Sequence, residues 1–405
     1  MFNSARVYST GMVLCAGLSM IQIASASDTR TVREPVIPSS CATLKATGSD
    51  TTRMIQTALN NCSSGHAVKL IVQGSQRNFY SGPLVIPSGV SLWVDQGAIL
   101  HALNRASAFD NGNRTCGTLD TKGNGCSALI TMNSASNSGI YGLGSIDGQG
   151  GVTLSDKNIS WWNLAQQAKT SGKKQNAPRL IQINNGHNIT LYKITLRNSP
   201  NFHVVFKQGD GLTAWGVTID TPATARNTDG IDPISSRNVT VTHSYISTGD
   251  DNVAIKANPS AGSSTNMSFI DNRFGAGHGL SIGSETTDGV YNIDVNGLTL
   301  SGTTNGLRIK SDQSASGEVA NIHYNQVTMT NVPNAIVMDT VYEKKSGNTK
   351  AYWHDISYNN ITVNGASRFI FNGTNASRPL SATMRNMHLS NQITWTKINA
   401  NILQY

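Results

Sequence analysis

Charged residues are scarce in this chain: Asp, Glu, Lys and Arg together make up 13% of its 405 residues. So little charge leaves little with which to solvate the outer faces of long helices, which argues against a helical bundle. Dense runs of Lys or Arg are also missing, and with them the usual footprint of a nucleic-acid-binding protein. Beyond the N-terminal region no stretch approaches the roughly 20 apolar residues that a membrane-crossing helix needs. Cysteine occupies only five positions, none in the close Cys-x-x-Cys spacing of a zinc knuckle. What is abundant is Gly, with 38 residues, alongside many Asn, Ser and Thr, a composition that favours a turn-rich β structure. The formal charge of +8 suggests an acidic partner without naming it.

Residues 1–26 read as a secretory signal peptide. One cation, Arg6, precedes a largely apolar run over 11–23, and Ala24, Ser25 and Ala26 supply the small residues that cleavage requires. The expected product is a secreted protein that begins near Ser27 and has no membrane anchor. Export makes disulfides the economical use of Cys41, Cys62, Cys116 and Cys126. Of three connectivities, Cys41 with Cys62 and Cys116 with Cys126 closes the most local loops. No linker breaks residues 27–405, so one monomeric domain is expected.

One amphipathic helix is predicted, capped by Asp50 or Thr51 and running to about Cys62, with Met54, Ile55, Ala58, Leu59 and Cys62 on one face. From Val68 onward the pattern changes to short apolar or alternating runs between turn residues. A phrase of Asn or Asp, an aliphatic residue, a polar residue and a large one then returns at Asn188, Asn238, Asn266, Asn292, Asn321, Asp355 and Asn386. Between Asn238 and Asn321 it recurs every 26 to 29 residues, the signature of a repeat fold. Each period has room for about three short strands, so stacked coils would form an all-β, right-handed parallel β-helix, with the N-terminal helix covering its open end. Asn suits the corners because it tolerates left-handed backbone geometry.

Four motifs follow this repeat: Asn227-Thr228-Asp229, Gly249-Asp250-Asp251, Gly277-His278-Gly279 and Arg308-Ile309-Lys310. Singly, each reads first as a turn or as part of an ion-pair network. Their spacing raises a second reading. Asp229 and Asp250 are 21 residues apart and His278 follows Asp251 by 27, close to one coil, and adjacent coils sit about 4.8 Å apart. Carboxylates crowded at that distance push at least one pKa upward, which suits glycoside hydrolysis by one protonated and one ionised acid. Asp250 and Asp251 would face opposite sides of an ideal strand, so a turn or bulge is predicted there, with Gly249 supplying local freedom. Arg308 and Lys310 alternate across Ile309 and can face outward together, ready to pair with an anionic sugar.

These four motifs, with residues 144–150 (GSIDGQG) and 178–181 (PRLI), resemble the polygalacturonases of glycoside hydrolase family 28, and among them the secreted bacterial endo-acting members. The resemblance covers most of residues 27–405. It implies hydrolysis of α-1,4 bonds in homogalacturonan, the de-esterified acidic polysaccharide of plant cell-wall pectin, with inversion at the anomeric carbon and no metal or other cofactor. By the same resemblance Asp250 is the general acid, Asp229 and Asp251 activate water, and His278 supports the protonation state of the acid. Arg308 and Lys310 bind galacturonate carboxylates, Asn227 contacts substrate, and Tyr342 lines the cleft. The downstream cysteines of many fungal members are absent here. Two other readings stay open at this level: a lyase that binds calcium through the aspartates, and a non-catalytic adhesin that holds acidic glycans.

Overall fold

Successive strands pair in parallel and in register, coil upon coil, in the computed structural model, which describes residues 27–405. The expected signal peptide, residues 1–26, lies outside the described residues. The inward positions explain the stacking. Ile189, Leu212, Val239, Met267, Ile293, Ile322 and Ile356 lie one above another, each at most 1% exposed. Full burial of one such side chain contributes roughly 1.5–3 kcal/mol. Their neighbours Thr190, Thr213, Thr240 and Ser268 form the matching outward ladder, as the two-residue period of a strand requires.

Two kinds of corner bend each coil. Asn188, Asn238, Asn266, Asn292, Asn321, Asp355 and Asn386, which open the repeated phrase, all have φ between 51° and 59°. Their amides also join adjacent coils: Asn292 donates to Asn266 at 2.9 Å, and Asn321 donates to Asn292 at 2.6 Å. A second left-handed residue in each coil, among them Lys193, His243, Asp271 and Gln326, turns the chain into the next sheet. The corner at Gln326 is so tight that one strand, Glu318–Thr330, pairs with both Val290–Asn296 and Thr299–Ser301. A further ladder of eleven strands runs from Leu84–Val85 to Ile393–Ile398. The result is a right-handed parallel β-helix.

The predicted helix spans Thr52–Asn61 and buries Ile55 and Leu59 at the N-terminal end of the stack. Of the two expected caps, Asp50 is the one that holds its start. Thr51 makes no side-chain cap bond, while the Asp50 carboxylate accepts from the amide and hydroxyl of Thr52. Cys62 ends the helix and is bonded to Cys41, and Cys116 is bonded to Cys126, the nearest-neighbour pairing. A second helix, Trp161–Thr170, was not predicted. Its signals were present: Ser160 accepts from the Asn163 amide, and Trp161, Leu164, Ala165 and Ala168 are buried at helical spacing. The Arg226 guanidinium donates to its Ala165 carbonyl, so the helix braces the loop that carries Asn227.

A strap crosses the outward Thr/Ser ladder. Ser27 donates to Asp294, the Asp28 amide to Ser268, Thr240 to the Asp28 carboxylate, and Arg30 to the Leu212 carbonyl. Further on, Tyr192 donates to Glu34. Asp28 is buried and its charge is paired with Arg30 at 2.7 Å.

If left-handed geometry is why Asn opens each coil, Asn292→Ala loses both the amide ladder and the tolerated backbone, whereas Asn292→Gly loses only the ladder. The expected cost is about 1–2 kcal/mol more for Ala than for Gly. Urea unfolding of the two variants checks this, and an equal or smaller loss for Ala would refute the backbone explanation.

Candidate active site

The eleven-strand ladder places the four motifs side by side. Ile231, Val253, Leu280 and Leu307 pair in sequence across four successive strands. Asp229, Asp251 and His278 each stand two residues before a member of that row, at one level on adjacent coils. Arg308 and Lys310 lie within the next strand, Asn305–Lys310.

Asp250 and Asp251 sit in a bend outside any strand, as predicted. The reason for Gly249 differs from the expected backbone freedom: a Cβ at this position would collide with the Ala225 carbonyl. Gly277, by contrast, has φ 136° and would clash with the Asn252 side chain if substituted. The bend turns Asp250 toward His278, whose Nδ1 is 3.1 Å from Asp250 Oδ1, and the His278 amide donates to the Asp250 carbonyl.

Three differently held carboxyls result. Burial alone would push Asp251 upward, but Arg308 and Lys310 overcome it and hold this carboxyl well below the usual range. Lys310 Nζ is 2.8 Å from Asp251 Oδ2, while Arg308 and the Ser281 hydroxyl donate to Oδ1. Asp250 is also raised by desolvation, yet the hydrogen bond from His278 and the charges of His278 and Lys310 leave it below its ordinary value. Asp229 goes the other way: burial, then the nearby charges of Asp232 and Asp250, raise it well above 3.8. Its Oδ1 is buried without a hydrogen-bond partner. Access differs as sharply, since the Asp250 side chain is 20% exposed and that of Asp251 is 2%.

Asn227 meets Asp250 through its backbone amide at 3.3 Å and accepts from Gln175. Tyr342 is 38% exposed and therefore not a core aromatic. Its ring lies 4.9 Å from Lys310 Nζ and 5.7 Å from the Arg308 guanidinium. The cations thus face Asp251 on one side and Tyr342 on the other.

Sequence reasoning missed three residues. Asp232 is fully buried, and desolvation outweighs Lys256 to raise it to about 6. Lys256 Nζ lies 2.9 Å from Asp232 and 3.6 Å from Asp229, serving both carboxyls. A lysine in the otherwise apolar strand Val253–Ala257 was the available signal. His203 is buried and pushed down to about 4 by desolvation, so it is neutral. It contacts the Asp229 carbonyl and the Thr221 hydroxyl, fixing the turn before the strand; nothing local in the sequence marks it.

The donor set suits calcium poorly. Asp250, Asp251 and His278 could bring one ligand atom each within 4.8 Å, but Arg308 and Lys310 already engage both oxygens of Asp251 and would repel a divalent cation.

The Glycosyl hydrolases family 28 model matches residues 62–402. The chain belongs to that family. It is therefore a glycoside hydrolase. It is 56% identical to an endo-polygalacturonase of Pectobacterium carotovorum subsp. carotovorum over 96% of this chain and 98% of the relative. A polygalacturonase of Ralstonia solanacearum is 41% identical over 82% of this chain and 71% of its own length. Among solved structures, the polygalacturonase from Erwinia carotovora ssp. carotovora superposes with a TM-score of 0.91 at 55% identity, covering 93% of this chain and 99% of that one. An exopolygalacturonase from Thermotoga maritima shares the fold at 19% identity, with a TM-score of 0.71 over 92% and 93% of the two chains.

Removing the shared counter-charge should raise the carboxyls further. In Lys256→Met the Asp232 carboxyl titrates above its present value of about 6. Carbon-13 NMR of the aspartate side chains measures the shift, and a lower pKa would contradict the pairing.

Proposed function

We propose that this family 28 hydrolase is a secreted, monomeric, single-domain endopolygalacturonase that cleaves α-1,4-galacturonosidic bonds in homogalacturonan, serving plant cell-wall breakdown. The polygalacturonase activity for which the Pectobacterium and Erwinia relatives are named supports the substrate class. The observation that carries the mechanism is unequal access: of three converging carboxyls, only Asp250 is substantially open to a leaving oxygen.

Asp250 is assigned as the general acid. In the ligand-free protein His278 holds it low, so the proton must be supplied as substrate binds. An arriving galacturonate carboxylate offsets the positive charge of Lys310 and expels water, and both effects raise the Asp250 pKa. His278 and Asp250 then act as a pair sharing one proton. Asn227, against the other Asp250 oxygen, orients the carboxyl. Arg308, Lys310 and Tyr342 form the wall against which that uronate lies.

Asp229 is assigned as the base. A raised pKa makes it a competent proton acceptor once ionised, and no protein donor competes for its Oδ1. Asp251 supports that water electrostatically. It is a poor nucleophile, because Arg308, Ser281 and Lys310 engage its oxygens. This favours direct attack by water and inversion, although Asp250 and Asp251 approach within 4.8 Å, closer than the roughly 6.5–9.5 Å usual for an inverting acid and base. With Asp229 rather than Asp251 as the base, that short approach is not the catalytic gap.

Asp250→Asn should lower polygalacturonate hydrolysis by about 100- to 10,000-fold while leaving the fold intact by circular dichroism. Near-normal turnover would remove Asp250 from the acid role, and NMR showing a retained anomer in the first product would exclude inversion. Activity should survive a metal chelator, and an unsaturated, ultraviolet-absorbing product would instead indicate a lyase. The pH profile gives a signed test. Asp229 must lose its proton to work, and the charge of Asp232 raises its pKa, so Asp232→Asn should move the acidic limb of kcat/KM toward lower pH.

A further inference from the structure

A pocket of about 340 Å³ opens beyond the proposed catalytic centre, lined in part by Gln313, Ser316, Thr340, Lys350, Asn375 and Arg378. Its position follows from the coil register. Lys310, Asp339 and Asn372 pair in sequence at the ends of three consecutive strands of the cleft ladder. Gln313, Thr340 and Asn375 are where the chain runs off those strands. The pocket therefore lies two to four coils beyond the strand Val253–Ala257 that Asp250 precedes, roughly 10–19 Å along the stack at the usual strand spacing. Tyr342, two residues after the lining residue Thr340, has its ring against the Arg308–Lys310 pair.

The lining has the chemistry of an anion site. No carboxylate is among the residues that line it, whereas two cations are. The Arg378 guanidinium rests 4.7 Å over the Tyr352 ring, which orients its forked donors. At the wall, Ser316 is 4% exposed and its hydroxyl has no hydrogen-bond partner. The Ser316 amide is tied to Thr349 Oγ1 at 2.9 Å, and that hydroxyl donates to the Gln313 carbonyl at 2.6 Å, so the vacant donor is held by a fixed loop. Buried polar atoms are ordinarily satisfied, and a ligand oxygen would satisfy this one. The volume is at the small end of ligand pockets, suited to a single sugar ring.

We propose that this pocket is a distal subsite for a uronate residue of the same polymer chain that occupies the cleft. Arg378 and Lys350 receive its carboxylate, and Ser316 donates to a ring or carboxylate oxygen. The subsite rests on the proposed polygalacturonate substrate and adds a second anchor that only long chains reach. Free galacturonic acid presents the same carboxylate, but it would gain nothing from attachment to the cleft.

The test measures binding in a cleavage-dead Asp250→Asn background, so its result stands apart from catalysis. Adding Lys350→Gln and Arg378→Gln, both on exposed loops, should weaken polygalacturonate binding by about 5- to 10-fold in calorimetry. Digalacturonate, too short to span from Asp250 to the pocket, should bind equally well to both proteins. Ser316→Ala alone should act in the same direction, more weakly. Unchanged polymer affinity, or an equal loss for dimer and polymer, would overturn the subsite. So would a loss of galacturonic acid binding as large as the loss for polymer. Failure of the parent protein to cleave polygalacturonate is a separate result, and it would count against the proposed function instead.

Discussion

Everything in this molecule depends on in-register parallel pairing, which sets each residue about 4.8 Å from its counterpart in the next coil. Such stacking repeats like over like. For the aliphatic column from Ile189 to Ile356 the consequence is close packing, and for the Asn corners it is an amide ladder. For acids the same geometry is costly, because charges aligned one coil apart repel one another in a partly dry environment. The protein tolerates this around Asp229, Asp232, Asp250 and Asp251. Cations reach them from later coils: Lys256 serves the first two, while Arg308 and Lys310 serve the last.

That explains why the coarse plan was readable in sequence while its electrostatics were not. The repeated phrase beginning at Asn238, Asn266 and Asn292 exposed the coil period, the inward and outward positions and the left-handed corners. The period in turn put Asp229, Asp251 and His278 at one level. Which cation answers which acid was not readable, because partners such as Asp251 and Lys310 lie 59 residues apart and pair only after two coils are stacked. Asp232 and Lys256 were passed over for the same reason: each is a single polar residue in an apolar strand until the other lies 2.9 Å away. The helix Trp161–Thr170 is a different kind of miss. It is an insertion between coils, invisible to the period, and its own cap and apolar spacing had to be read locally.

The opposed shifts of the acids also tie function to stability. Asp251, held below its unfolded value of 3.8, contributes stability above that pH and loses it as pH falls. Asp232 does the reverse: folded, it keeps its proton up to about pH 6, so its contribution is full below 3.8 and lost as pH rises through about 6. Asp229 acts in the same sense as Asp232. Between these limits the free protein holds Asp251 ionised and Asp232 protonated, whereas the proposed chemistry needs Asp229 ionised and Asp250 protonated. The charges that strain the native state must therefore be rebalanced as the uronate binds, which is the step at which its carboxylate offsets Lys310 and raises Asp250.

A stack of coils is stable mainly through contacts between neighbours, so its ends can open without the middle. The N-terminal strap changes that coupling. Over a few residues it bonds to Asp294, Ser268, Thr240, Leu212 and Tyr192, positions spread along the stack and separated from it in sequence by between 158 and 267 residues. Opening any coil in this interval breaks a contact with the strap as well as with its neighbours, and Asp28 would have to give up its buried ion pair with Arg30. The coils joined in this way include those bearing Asp229, Asp250 and His278. Their carboxyls must hold positions set by sub-ångström geometry against mutual repulsion, and a brace across the outward Thr/Ser face resists that repulsion without occupying the groove.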